Sequence, residues 1–145
     1  MDERLKILFI PRWYPNHEDP MEGLFVQRQA EALATTCNVA VIHIHPVRRG
    51  KGKTEAVFTE QNGVRVLQVY LKTGSTGNAW SRAQSLWKYY RAAMRAVRSI
   101  RQFEPDIVHG HILTRTGVVA WRAAVELRVP FLISEHWSRY FPQNF

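Results

Sequence analysis

Residues 5–45, LKILFIPRWYPNHEDPMEGLFVQRQAEALATTCNVAVIHIH, carry the reading that decides the fold. Leu5 to Ile10 is a short, almost continuous apolar run, the pattern of a strand covered on both faces, and Pro11 stops it. From Gly23 to Ala34 apolar residues recur at helical spacing, with Phe25 or Val26, then Gln29 or Ala30, then Leu33 on one face. Asn38 to His45 is apolar again, at strand length. Strand, helix, strand in that order opens a βαβ unit, whose crossover is right-handed.

Beyond this unit, Thr54–Glu60 and Val64–Lys72 flank Gln61-Asn62-Gly63, a strong hairpin signal. The glycine-interrupted basic stretch from Arg48 to Lys53 before it reads as a surface connection or a phosphate contact, without Walker A spacing. After Gly74-Ser75-Thr76-Gly77-Asn78, a long helix is predicted from Ala79 to Phe103. Its expected buried face holds Trp80, Ala83, Trp87, Tyr90, Met94 and Val97, with Lys88, Arg91, Arg95, Arg98 and Gln102 opposite. Asp106–His109 is then a short strand, Thr116–Leu127 a helix, and Pro130–Ser134 another buried strand. The expected class is α/β: an open, mostly parallel, Rossmann-like sheet with helices on both faces and one β-hairpin insertion.

The 145 residues suit one domain, 1–145, and are too few for a closed eight-stranded β/α barrel. Apolar residues make up 46%, but they are interrupted too often to span a bilayer, and Met1-Asp2-Glu3-Arg4 leads into the first strand without a secretory signal. The cytoplasm is the expected compartment. Cys37 has no partner for an internal disulfide and no adjacent basic residue to activate it. The net charge of +8 is regional: no Asp or Glu occurs from Gln61 to Phe103, while Arg65, Lys72, Arg82, Lys88, Arg91, Arg95, Arg98 and Arg101 all do. Such a face suits anionic partners, whether lipid headgroups, nucleic acid or phosphorylated substrates.

In an open parallel sheet, ligands bind beyond the carboxyl ends of the strands. Three loops fall there: Pro11-Arg12-Trp13-Tyr14-Pro15 through to Gly23, Gly110-His111, and Glu135-His136-Trp137. G-x-G-x-x-G is absent from the first, which argues against a dinucleotide site. Gly23 opens a helix, where backbone N–H groups can meet an anion or the glycine can simply cap. His43 with His45, and His109 with His111, have the spacing of metal pairs, but a hydrolytic metal centre normally adds carboxylate ligands and Asp106 lies on the far side of its strand, so no metal is expected. His136, polar and directly after a buried strand, is the most pointed candidate for proton transfer or hydroxyl positioning. Glu135 could orient its imidazole or pack outward.

Ile7-Leu8-Phe9-Ile10-Pro11-Arg12-Trp13-Tyr14-Pro15, Gly23 to Leu33, Pro105-Asp106-Ile107-Val108-His109-Gly110-His111 and Val129 to Trp137 occur in order across almost the whole chain. Together they resemble the N-terminal, acceptor-side domain of family-four, GT-B-fold retaining glycosyltransferases. The resemblance implies two Rossmann-like domains facing each other across a cleft. His136 would be the catalytic histidine near the transferred sugar, His111, Arg12, Trp13 and Glu135 would bind the acceptor, and Gly23 would approach the donor phosphates. It implies a nucleotide-sugar donor, a glycan or lipid-linked acceptor, and no metal or other cofactor. The glycine pair of many members is here Glu22-Gly23. The donor-binding domain has no counterpart after Phe145, so the chain is expected to be a fragment of a longer enzyme, inactive alone.

Two further readings follow from the acid-free stretch. Lys88, Arg91, Arg95 and Arg98 could hold an anionic membrane surface, placing the protein at the inner face of the membrane. The alternative class is a basic anion-binding module without catalysis, for membrane or nucleic acid. Nucleic acid is not expected, because Trp80, Trp87 and Tyr90 are read as core rather than as base-stacking platforms.

Overall fold

The computed structural model describes residues 3–47, 53–74 and 77–136. Within them, β1 (Lys6–Pro11), α1 (Leu24–Leu33), β2 (Asn38–Val47), β3 (Glu55–Gln61), β4 (Val64–Lys72), α2 (Ala79–Ser99), β5 (Ile107–His111), α3 (Thr116–Leu127) and β6 (Phe131–Ser134) follow in order. The strands form one sheet in the order β3-β4-β2-β1-β5-β6. All neighbours run parallel except β3 and β4, which are antiparallel. The expected open, mostly parallel sheet with one hairpin is therefore present. Asn62 and Gly63, at φ 52° and 78°, supply the two left-handed positions that a tight hairpin turn needs.

β1 lies in the middle, and its apolar side chains divide between two cores. Ile7 and Phe9 pack with Val39, Val41, Val26 and Ala30 under α1. Leu8 and Ile10 point the other way, toward Tyr89, Ala93, Val97, Val119 and Ala123 of α2 and α3. This alternation explains why the run LKILFI is apolar throughout: a strand covered on both faces has no polar side. At Gly110 an added Cβ would stand 3.0 Å from Ala120 Cβ, so the glycine lets α3 lie close on β5.

α2 corrects one expectation. Trp80 is 72% exposed, Trp87 58% exposed and Ala83 also exposed, whereas the buried stripe is Tyr89, Ala93, Met94, Ala96 and Val97. Met94 and Val97 are buried as expected and Tyr90 is half-buried against the same core, so the stripe widens to take in Tyr89, while a helix of 21 residues, about 31 Å long, overhangs the sheet it covers. Only its second half finds a core. Asn78 starts it with a capping box to Ser81. The helix stops at Ser99, earlier than the periodicity suggested, and a 3₁₀ turn over Arg101–Phe103 follows.

β6 corrects another expectation. It is an edge strand with Phe131 and Leu132 both exposed, not a buried one, because no described strand pairs with its outer side. β5 runs two residues further than predicted, to His111, carrying Gly110 and His111 into the sheet. Trp137, and Arg48 to Gly52 of the basic loop, lie outside the described residues.

Candidate active site at the strand ends

Parallel pairing sets Pro11 beside His111 and His111 beside Ser134, so the carboxyl ends of β1, β5 and β6 meet. His136 follows two residues later. His111 Nδ1 lies 3.3 Å from His136 Nε2, with the ring centroids 5.6 Å apart and the planes 12° from parallel, so the two rings meet edge to edge, nearly coplanar. His109 stacks against His111 at 4.1 Å, and its Nε2 is 2.8 Å from Ser134 Oγ. Phe9 packs against both inner rings, and Phe25 of α1 meets His136 edge-on at 5.0 Å. Two buried histidines thus lead to a third, His136, which is exposed.

Burial first, then repulsion from His109 and His136, pushes His111 down to about 3; burial and His136 push His109 down to about 4. Both are neutral at physiological pH. His111 Nε2 is buried without a partner among the described residues. An unpaired buried N–H is costlier and rarer than an unpaired acceptor, so we assign the His111 proton to Nδ1, donating to His136 Nε2. Glu135 accepts a hydrogen bond from Leu113 N at 3.0 Å and so ties β6's exit to the loop after β5.

Arg12 and Trp13 sit on the neighbouring side of the same edge. Arg12 N donates to His111 O at 3.3 Å, its guanidinium lies 5.6 Å above the Trp13 ring, and both residues line a cavity of about 190 Å³ with Glu22, His45, Tyr89 and Arg115. Gly23 has a packing role: at φ 63° an added Cβ would be 2.3 Å from Trp13 O and 2.7 Å from Tyr14 N. The backbone of the β1 loop rests on it. The predicted residues therefore form two adjoining groups, His111 with His136 and Glu135, and Arg12 with Trp13 and Gly23.

Glu22, His43 and His45 bring ligand atoms within 4.8 Å of one another, a grouping that spacing alone missed because Glu22 comes from the first loop. The histidines are already engaged. Gln68 Nε2 faces His43 Nδ1 at 3.4 Å, His43 makes a backbone hydrogen bond with Arg12, and His45 Nε2 is 2.7 Å from Glu18 Oε2. A metal ion would have to displace these partners. Burial pushes His43 down to about 3, so it is neutral.

Sequence reasoning missed Tyr89, Arg115 and Phe25. Phe25 was offered with Val26 for the buried face; Val26 took it, and Phe25 turned toward His136. Tyr89 and Arg115 carry no local signal, since α2 and the start of α3 reach the cavity only through tertiary packing.

Residues 23–144 match the family described as "Glycosyl transferase 4-like domain". The chain is 24% identical over 145 residues to "Putative teichuronic acid biosynthesis glycosyltransferase TuaC" of Bacillus subtilis (strain 168), an alignment covering 92% of this chain and 36% of that protein. It thus spans little more than a third of that relative's length. Among solved structures, sucrose-phosphate synthase from Thermosynechococcus elongatus superposes with a TM-score of 0.56 at 16% identity, over 97% of this chain and 36% of that one. The C-terminal domain of PF1911 hydrogenase from Pyrococcus furiosus gives 0.58 at 11% identity, over 90% of each. These two likenesses concern the fold alone, and their different titles illustrate that a fold does not name an activity. The match from α1 through β6 shows the family: the chain belongs to the glycosyl transferase 4-like family.

Proposed function

We propose that this chain is the acceptor-binding half of a retaining, hexosyl-type glycosyltransferase that moves a sugar from a nucleotide-sugar donor to a glycan or lipid-linked acceptor. The observation that carries the reading is the exposed His136 ring, hydrogen-bonded edge to edge to buried His111 at the strand ends. His136 holds a sugar hydroxyl beside the reacting carbon, and neutral His111 fixes its ring and tautomer. Glu135 steadies the segment, and Arg12 and Trp13 contact the acceptor. Gly23, at the positive end of α1, lies toward the donor phosphates. The relative's greater length supports placing sugar transfer in a longer protein, whose remainder would add charge for the departing diphosphate. The teichuronic acid relative suggests an envelope polysaccharide as the product.

The test is acceptor-dependent release of nucleoside diphosphate by the full-length protein, offered a panel of nucleotide-sugars. Release without any glycosylated product, or no release with any donor, counts against the reading.

A second reading concerns α2. Trp80, Leu86 and Trp87 are exposed, and Arg91 lies 4.5 Å over the Trp87 ring. Exposed tryptophans beside Lys88, Arg91 and Arg95 form the composition of a helix that rests in a membrane interface. Arg98 is instead paired with Glu126, at 2.7 and 3.0 Å. No helix of the described residues is long and apolar enough to cross a membrane. We propose peripheral attachment to an anionic bilayer on the cytoplasmic side. The exposure of Trp80 and Trp87 removes the reason given for excluding nucleic acid, so co-sedimentation with phosphatidylglycerol vesicles is run beside single-stranded DNA. Binding to DNA alone would favour the nucleic-acid alternative.

A further inference from the structure

Two cavities adjoin at the carboxyl ends of β1 and β2. The one of about 190 Å³ holds Arg12, and the one of about 280 Å³ holds Arg82; both are lined by Pro46, Tyr89 and Arg115. They are two lobes of one groove that share Tyr89 and Arg115, with Arg12 lining one lobe and Arg82 the other; Arg12 Nη1 also donates to Thr114 O at 3.5 Å. The acid that lines it, Glu22, is turned toward Asn16 Nδ2 at 2.6 Å and His45 Nδ1 at 3.6 Å.

Arg115 is held there in an unusual way. Its backbone is at φ 67° and ψ −58°, and Thr116 N donates to Thr114 O at 2.9 Å across it. This is a γ-turn of the rare, strained hand, and it is occupied by a residue that has a Cβ. The surroundings enforce it: Ile112 N donates to Ser134 O at 2.8 Å, Gly117 N to Leu113 O at 3.0 Å, and Thr116 Oγ1 to His111 O at 3.0 Å. Glycine would adopt this backbone without strain. The chain places an arginine there instead, and Arg115 lines both lobes. Tyr89 reports the same field: burial pushes it up to about 12 while Arg115 and Arg12 oppose, so it remains a neutral O–H donor.

We propose that this groove is an anion subsite, in which Arg115 and Arg82, with Arg12 at the junction to the histidine pair, receive a phosphate or carboxylate group carried by the acceptor. Only the naming of the acceptor as carrier rests on the glycosyltransferase reading. Guanidiniums suit both anions, because their forked donors match either set of oxygens.

The test is titration of the chain with inorganic pyrophosphate and, separately, with glucuronate, followed by amide NMR shifts of residues 112–117 and the Tyr89 ring. Saturable binding is expected, with Arg115→Gly weakening it about tenfold. Arg82→Gln shifts it in the same direction, and Arg115→Lys keeps part of it. Arg115→Gly should at the same time raise the melting temperature, which separates lost recognition from a damaged fold. Saturation by pyrophosphate alone assigns a phosphate; saturation by glucuronate alone assigns a carboxylate. Saturation by neither, undiminished binding by Arg115→Gly, or a lowered melting temperature in that variant overturns the proposal. No donor or turnover is involved, so an empty groove leaves the transferase reading standing, and an inactive full-length protein leaves the groove standing.

Discussion

Moderate acidification should unfold this protein through its buried histidines. His43 and His111 are pushed down to about 3 by burial, against 6.5 in an unfolded chain. Between those values the unfolded chain binds protons that the folded one refuses, so stability is present above 6.5 and is lost as pH falls toward 3. At about pH 5, roughly 1.5 units below the unfolded value, each residue withholds about 2 kcal/mol, and the two together about 4 kcal/mol. His109, pushed down to about 4, adds in the same direction. A domain of this size has about 5–15 kcal/mol to lose, so the effect is a large share. Urea unfolding followed by far-UV circular dichroism at about pH 7.5 and pH 5 measures it directly; with a slope of about 1.5 kcal/mol per molar, the midpoint should fall by about 2.5 M. His43→Gln should remove about 2 kcal/mol of this pH-dependent loss, whatever it does to stability at neutral pH. A midpoint that moves by less than about 0.5 M would refute the claim that these rings are held neutral.

Gly23→Ala should destabilise the fold by at least about 2 kcal/mol, lowering Tm by about 5 °C or more, because the new methyl meets the Trp13 carbonyl in a left-handed backbone. An unchanged melting curve would show that the loop yields. Trp80→Ser with Trp87→Ser should leave the melting temperature within about 1 °C, since both side chains are exposed, and should weaken binding to anionic vesicles about tenfold. Equal sedimentation of variant and wild type would remove the tryptophans from the membrane reading.

The architecture was legible because it rests on patterns with few alternatives. LKILFI admits little besides a central strand, Asn62-Gly63 marks its hairpin, and strand–helix alternation implies a parallel sheet. Phase was harder. α2 has aromatics at 87, 89 and 90, and apolar pattern alone does not say which of them the sheet will take; contact with β2 and β4 chose Tyr89. The run PFLIS likewise reads the same at the edge of a sheet as at its centre. At the site, residues on a strand's own exit, His111 and His136, could be named in advance, because topology alone brings them together. Arg115 and Tyr89 could not. Nothing local marks a γ-turn at an arginine, or a helix from the far side of the sheet arriving at the same cavity.

The central claim is that His136, braced by His111, acts at the reacting sugar. Single-turnover transfer by the full-length enzyme tests it, comparing wild type with His136→Ala at saturating donor and acceptor, with donor binding measured separately. The expected result is a rate lowered about 100-fold or more with donor affinity and melting temperature unchanged. A rate within about threefold of wild type would contradict it, for then the paired histidines are packing and the chemistry lies elsewhere.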